Sequence, residues 1–333
     1  MIISSPTPST AMLRLRDIWR LATLNRKVSF GLAILAFFVL LGLIGPLFFP
    51  GDPNAFSADI LQPPSTAHWL GTTQTGQDIL TQLIFGTRYS LIMGFAIGIA
   101  TMIISIIIGL ASGYFGGLID EALSLLTNIF LVLPTLPLAI LLAAFAAYRG
   151  PLTIIIVLTV TGWSWGARVL RAQTLSMRSR DYVEAAKASG ESTLRIIFYE
   201  ILPNETSIVA AELLGTVIYA ILAATGLEFL GLGDITGTSW GTMLYWAGNN
   251  DALLLGAWWW FLPPGLCIAI LGAGLAFVNF GIDEIANPRL RIEPGPKKAQ
   301  RQSKRYQTEL QKAEEFDSHP SNDAVASSFA QDG

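Results

Sequence analysis

Six mostly apolar stretches of the chain run without a single Asp, Glu, Lys or Arg, and their lengths set the architecture. They cover 24 residues between Lys27 and Asp52, 31 between Arg88 and Asp120, 27 between Glu121 and Arg149, 18 between Arg149 and Arg168, 15 between Glu212 and Glu228, and 31 between Asp251 and Asp283. A helix needs about 20 mostly apolar residues to cross a bilayer. The fifth stretch reaches that length only if Glu212 sits in its cytoplasmic first turns. The pattern predicts an all-α membrane protein with six transmembrane helices. The first covers 28–49, and five more, about 90–113, 121–147, 150–168, 207–227 and 255–281, lie in a core domain of 88–283. The first stretch is longer than the apolar region of a signal peptide, about 7–15 residues, so it is read as a retained helix.

Basic residues orient the bundle, because cytoplasmic loops are enriched in Lys and Arg. With the N-terminus inside, residues 1–27, Arg168 to Arg195 and the segment after Asp283 hold 19 of the 21 Lys and Arg; only Arg88 and Arg149 fall outside. Both termini are therefore expected in the cytoplasm. Residues 50–87 become an external loop punctuated by Pro53, Pro63, Pro64, Gly71 and Gly76. A second external segment, about 228–252, carries Trp240, Tyr245 and Trp246; with Trp258 to Trp260 these suit interfacial anchoring better than ligand stacking. From 293 to 333 the composition is too polar to bury a core, which predicts a disordered cytoplasmic tail with at most a short helix around Gln307 to Glu315.

Inside the spans, Gly94 with Gly98, Gly109 with Gly113, and Gly113 with Gly117 recur at four-residue spacing and predict close helix approach. Pro134 with Pro137, and Pro263 with Pro264, are expected to interrupt two helices, as kinks or as hinges.

Charged residues make up 14% of the chain, near half the roughly 25% of soluble domains, so the apolar excess must face lipid. The lone Cys267 excludes an intrachain disulfide and a cysteine metal site. His68 and His319 lie outside the apolar stretches, which leaves a membrane-embedded His base or proton relay without its parts. No Gly-x-x-x-x-Gly-Lys-Ser/Thr phosphate loop occurs.

The loop of residues 180–204 reads as helix, break, helix. The first helix, about Asp181 to Ser189, offers Ala185, Ala186 and Ala188 for close contact with another surface, and Gly190 ends it. In the second, Leu194, Ile197, Phe198, Ile201 and Leu202 share one apolar face, with Pro203 as the next boundary. On periodicity alone an ordinary amphipathic re-entry loop is the better reading.

Residue identity adds to that. Glu184-Ala185-Ala186, Gly190 and Leu202-Pro203 resemble the EAA loop of binding-protein-dependent ABC permeases. The resemblance extends from about Asn25 to Leu290 and is to the second permease subunit of dipeptide, oligopeptide and nickel importers. It is carried by Gln62-Pro63-Pro64-Ser65, His68 to Gly76 with Asp78, Gly86 to Leu91, Gly113 to Gly117, Phe229 to Gly233, Ser239 to Leu244, and Asp283 to Leu290. Two positions depart from the family: Gln77 where Arg is frequent, and Glu200 where His is frequent.

The resemblance implies a type I ABC importer transmembrane domain in the bacterial inner membrane, catalysing no covalent chemistry. Loop 180–204 would be the coupling loop, with Glu184, Ala185, Ala186, Gly190, Leu202 and Pro203 at the ATPase contact. The implied partners are a homologous second permease, two ATPase subunits and an external substrate-binding protein, besides the lipid bilayer; no nucleic acid is expected. No cofactor is implied on this chain, ATP-Mg belonging to the ATPases. Peptides are the implied cargo, with nickel, heme precursors and small glycosides as alternatives. An ion-gradient-driven secondary transporter is the competing reading, for which Glu212 is the sole intramembrane candidate; a purely structural scaffold leaves the loop unexplained.

The orientation is checked with Ser65→Cys and Ser192→Cys in a Cys267→Ser background. An impermeant thiol reagent applied from outside is expected to label the first and spare the second.

Overall fold

The computed structural model describes residues 26–286, together with Thr308 and Gln311. The chain falls into two units, Met1–Ala286 and Asn287–Gly333. The expected N-terminal segment up to residue 25, the end of the family resemblance from Asn287, and the tail from residue 293 lie outside the described residues. The exceptions are Thr308 and Gln311, which are helical.

The first unit is a helical bundle. Helix α1 covers Arg26–Phe48 and α2 covers Ile79–Phe115. Gly117–Val132 (α3) and Thr135–Ala144 (α4) form a pair bent by 86°, and Pro151–Gly162 (α5) and Ser164–Met177 (α6) a pair bent by 42°. The short α7, Asp181–Ala188, precedes the long α8, Thr193–Phe229. Helices α9, Trp240–Asn249, and α10, Trp258–Ala286, complete the unit. Among the described residues, four helices are long and apolar enough to cross a membrane, or up to six when each bent pair counts as one span.

Helix α2 is the hub, packing against α1, α3, α5, α6 and α8. Its glycines permit this. A Cβ at Gly98 would lie 2.5 Å from Cγ2 of Val217 in α8, and one at Gly109 would lie 2.8 Å from the carbonyl oxygen of Ala167 in α6. Gly94 and Gly113 meet Ile221 and Thr174 in the same manner. Gly117 differs from the expectation. Nothing approaches its Cβ position, and with Gly116 it forms a turn at positive φ that separates α2 from α3.

The proline pairs divide. Pro134 has extended backbone and caps α4, which turns the third expected span sharply, whereas Pro137 sits in the first turn of α4, where a missing N–H costs nothing. Pro263 and Pro264 do not interrupt α10. They lie near its start, so only the carbonyls of Trp259 and Trp260 lose their usual donors.

The aromatics also divide. Trp246 and Trp258 are 43% and 52% exposed, but Trp240 and Trp260 are in the core at 0% and 2%. Trp240 packs edge-on against Phe38, 5.6 Å between centroids. Helix α9 drops back into the bundle and is started by a capping box of Ser239 and Thr242. The backbone N–H of Trp240 donates to Ser90 Oγ at 3.2 Å, joining α9 to α2.

The loop expected over 50–87 ends at Asp78, which caps α2 by accepting from the Thr81 N–H at 2.8 Å. Its fold rests on Thr72, whose N–H donates to the Gln62 carbonyl at 3.0 Å and whose own carbonyl accepts from Trp259 Nε1 at 3.2 Å. His68 lies between two carboxylates, with Nδ1 3.0 Å from Asp78 and Nε2 3.4 Å from Asp59. The hydrogen bond to Asp78 raises its pKa above the ordinary 6.5, against a smaller opposing effect of burial.

That shift has a sign. The raised folded-state pKa makes the clasp contribute stability fully below about pH 6.5, and the contribution is lost as pH rises through the folded value. Limited proteolysis of the loop before α2 is expected to be slower at about pH 5.5 than at about pH 8.5. His68→Asn is expected to remove the difference.

Candidate functional site

The segment expected to carry function folds into α7 and the start of α8. Asp181 and Glu184 stand in the first turn of α7 and Lys187 in its last, the arrangement that the helix dipole favours. Its C-terminus closes as a Schellman motif: the Gly190 N–H donates to the Lys187 carbonyl at 3.0 Å and the Glu191 N–H to the Ala186 carbonyl at 3.1 Å. Gly190 has φ +79° with open space around its Cβ position, so its backbone conformation, not crowding, requires glycine.

One side of α7 is held by the chain itself. Val183 is fully buried among Ile196 and Ile201 of α8, with Ala186, Tyr114 and Met177 packed at the edge. The Lys187 ammonium lies 5.4 Å from the centre of the Tyr114 ring and donates to the Arg178 carbonyl at 3.3 Å. The other side is open: Glu184, Ala185 and Gly190 are exposed, Ala186 is half-buried, and Tyr182 is 39% exposed.

The second half departs from the expected face. Ile196, Ile197 and Ile201 are buried, while Leu194 and Phe198 are 67% and 52% exposed. The cause is a π-helical stretch, Ile196–Ile201, in which the Leu202 N–H donates to the Ile197 carbonyl, five residues back. This wider turn rotates the buried face from a spacing of three and four to a spacing of five. It also absorbs Pro203, which has no N–H and would clash with the preceding turn of an α-helix. Pro203 is exposed and ends nothing; α8 runs through it, with Leu202 half-buried against the bundle.

Above α7 a set of polar ties joins the helices that hold it. Arg171 of α6 makes a two-point contact with Asp120 of α3, Nε to Oδ1 at 2.6 Å and Nη2 to Oδ2 at 2.8 Å. Ser112 of α2 and Ser124 of α3 donate to the same Asp120 oxygen at 2.5 and 2.9 Å. One turn further along α6, Thr174 Oγ1 donates to Glu205 of α8 at 3.0 Å, and Glu205 is fully buried. Arg178 Nη1 reaches the Gly113 carbonyl at 3.2 Å. Charge counting along the chain used Asp120 only as the end of an apolar run and Arg171 only as one of the basic residues from Arg168 to Arg195, and their separation of 51 residues hid the pairing. Glu212 lies midway along α8, because the helix begins well before the span expected at 207–227.

Residues 105–292 match the family described as binding-protein-dependent transport system inner membrane component. Residues 14–64 match the N-terminal TM domain of oligopeptide transport permease C. The chain is 35% identical over 281 residues to the dipeptide transport system permease protein DppC of Bacillus subtilis (strain 168), across 83% of this chain and 86% of that one. It is 34% identical over 286 residues to the oligopeptide transport system permease protein OppC of the same organism, across 84% and 89%. A solved structure of the MetNI methionine ABC transporter in inward facing conformations superposes with a TM-score of 0.50 at 20% identity, covering 62% of this chain and 96% of that one. That likeness concerns the fold.

The polar ties generate a prediction. Arg171→Gln leaves Asp120 without its counter-ion and is expected to destabilise the assembled protein by about 1–3 kcal/mol, the half-exposed geometry keeping the figure low. Thermal unfolding in detergent is the measurement. The double variant Asp120→Asn/Arg171→Gln is expected to lose less than the two single changes added together.

Proposed function

From the premise that the chain belongs to the family of binding-protein-dependent transport system inner membrane components, we propose that α7 couples it to an ATPase subunit and that its cargo is peptide. The chain is a multi-pass permease subunit of a bacterial ABC importer and a non-catalytic transport component. The observation that carries the coupling proposal is the mounting of α7: its outer side is open while its inner side is fastened to α2, α6 and α8.

A force on the open side, at Glu184, Ala185 and Gly190, would pass through Val183 into the π-helical turn of α8. Through Lys187 and Arg178 it would also reach the end of α2. Closure of two ATP-Mg-loaded ATPase subunits would thus move helices rather than bend a loop. Leu202 and Pro203 contribute by keeping the start of α8 packed and continuous with the span. The importer would comprise this chain, a homologous second permease, two ATPase subunits and an external binding protein. This chain would supply half of the pathway across the inner membrane, with both termini in the cytoplasm. Cargo identity rests on the relatives that carry dipeptide and oligopeptide transport in their names. An ion-gradient-driven transporter has no support from this family.

The test uses Gly190→Val and Glu184→Lys in the assembled transporter. Valine at positive φ is strained by roughly 1–2 kcal/mol and redirects α7, and lysine reverses a charge at the contact. Both variants are expected to insert normally, with uptake and binding-protein-stimulated ATP hydrolysis falling about tenfold or more. A cysteine at Ala185, in a Cys267→Ser background, is expected to cross-link to the ATPase. Full uptake in both variants with no cross-link in any nucleotide state would return the segment to an ordinary re-entry loop.

A further inference from the structure

Between the loop that precedes α2 and the segment around α9 lies a cavity of ≈ 600 Å³, inside the range of about 300–1,000 Å³ that small-molecule sites occupy. Its walls are tied to one another. Thr238 Oγ1 donates to Asn54 Oδ1 at 3.2 Å, and Gln82 Nε2 donates to the Pro53 carbonyl at 3.2 Å and to Gln77 Oε1 at 3.0 Å. Trp246 Nε1 donates to the Ile235 carbonyl at 3.0 Å, which fixes the indole and leaves its ring faces for apolar contact. A cavity walled in this way needs little further ordering when a ligand enters.

The lining is uncharged. Among the described residues around the cavity there is no Asp, Glu, Lys, Arg or His; amides and hydroxyls share it with aromatic side chains. Gln77, which stands where the resembled family frequently has Arg, keeps it so. Phe56 and Trp246 are 76% and 43% exposed, and Asn54, Thr75 and Thr236 are exposed as well, so these groups can meet an occupant. That occupant arrives from water, because the irregular backbone of the loop before α2 has no place in hydrocarbon.

The peptide group matches such a lining. It is neutral, and it carries one N–H and one C=O for side-chain amides and hydroxyls to pair with. The aromatic rings suit an apolar side chain. A charged group does not match, since it would leave water and find no counter-charge. A dipeptide is little more than its two charged ends, whereas a longer peptide has a neutral interior.

We propose that this cavity receives the uncharged interior of an oligopeptide, with an apolar inner side chain against Phe56 and Trp246. The proposal rests on the permease reading. Helix α2 runs from Gln82 beside the cavity to Gly113 beside Arg178 and the mount of α7, roughly 45 Å at about 1.5 Å per residue. With α7 at the ATPase, the cavity lies at the outer end of the bundle, where cargo arrives. The cargo is thereby narrowed from peptides in general to oligopeptides with neutral inner residues.

Thr75 provides the reporter, being exposed and part of the lining. In the assembled transporter without nucleotide or binding protein, Thr75→Cys with Cys267→Ser is alkylated by N-ethylmaleimide in the presence of defined peptides. Ala-Phe-Ala is expected to slow alkylation about threefold or more, and Ala-Asp-Ala and the dipeptide Ala-Phe to leave it unchanged. Adding Trp246→Ala is expected to abolish the protection. In a second arm, vesicles take up Ala-Phe-Ala and Ala-Asp-Ala with the same binding protein throughout, so a changed ratio belongs to the permease. Phe56→Ala is expected to lower the preference for Ala-Phe-Ala about threefold, and Gln77→Arg to shift it about tenfold toward Ala-Asp-Ala. No protection by Ala-Phe-Ala, equal protection by the dipeptide, or an uptake ratio unchanged in both variants would overturn the proposal. Phe56 is exposed on a loop, so the comparison does not depend on whether the Trp246 variant assembles. A failure of the α7 reading is distinguishable, because lost coupling lowers uptake of both tripeptides alike and leaves the labelling as it was.

Discussion

Where α2 crosses α6 and α8 there is no room for a Cβ, and the remainder of the bundle is arranged around that contact. Lipid tails are as apolar as leucine, so burying apolar side chains gives little reason for two spans to associate. Close backbone approach supplies the attraction instead. Gly94 and Gly98 receive Ile221 and Val217, while Gly109 and Gly113 receive the backbone and side chains of α6 from Ala167 to Thr174. One helix therefore has two faces with glycines at different heights, the upper pair set against α8 and the lower against α6.

The lower contact brings polar groups together where they have to be satisfied. With α2 and α6 touching, Ser112, Asp120, Ser124 and Arg171 converge, and Arg178 reaches the Gly113 carbonyl. The partly exposed carboxylate is satisfied there, paired twice with a guanidinium and hydrogen-bonded by two hydroxyls. The same proximity fastens the end of α6, and α7 hangs from that end. The proposed coupling role thus depends on glycine packing at some remove: loosening α2 from α6 would loosen the platform on which α7 is mounted.

Breaks in the helices divide the bundle into rigid and shaped parts. The π-helical turn at the start of α8 keeps the helix continuous while rotating its buried face, so α7 packs on an unbroken helix. At Pro134 and Trp163 the chain turns by 86° and 42°, and Thr135 and Trp165 beside those bends line a pocket together with Glu212 of α8.

Much of the architecture was legible along the chain. Six charge-free runs, the glycine repeats of α2 and the glycine stop after α7 each follow from residues close in sequence, and local chemistry is enough to read them. On α7 the small exposed residues Ala185 and Ala188 were legible for the same reason, whereas Glu184 was singled out by the family resemblance and Ala186 is half-buried. Other features waited for the tertiary structure. Trp240 reads as an interfacial anchor until α9 is seen to fold back into the bundle, because lipid and protein core are equally apolar to a hydropathy scale. Leu194 and Phe198 share a face with Ile197 only if the helix is α; the π turn that places Ile196 inside is decided by packing against Val183 and accommodation of Pro203. Asp120 and Arg171 meet across 51 residues, and Glu212 finds Asn279 and Trp165 around one cavity. Periodicity records which side of a helix is apolar, but only the packed bundle decides what that side touches, since the partners of a buried charge are chosen in space.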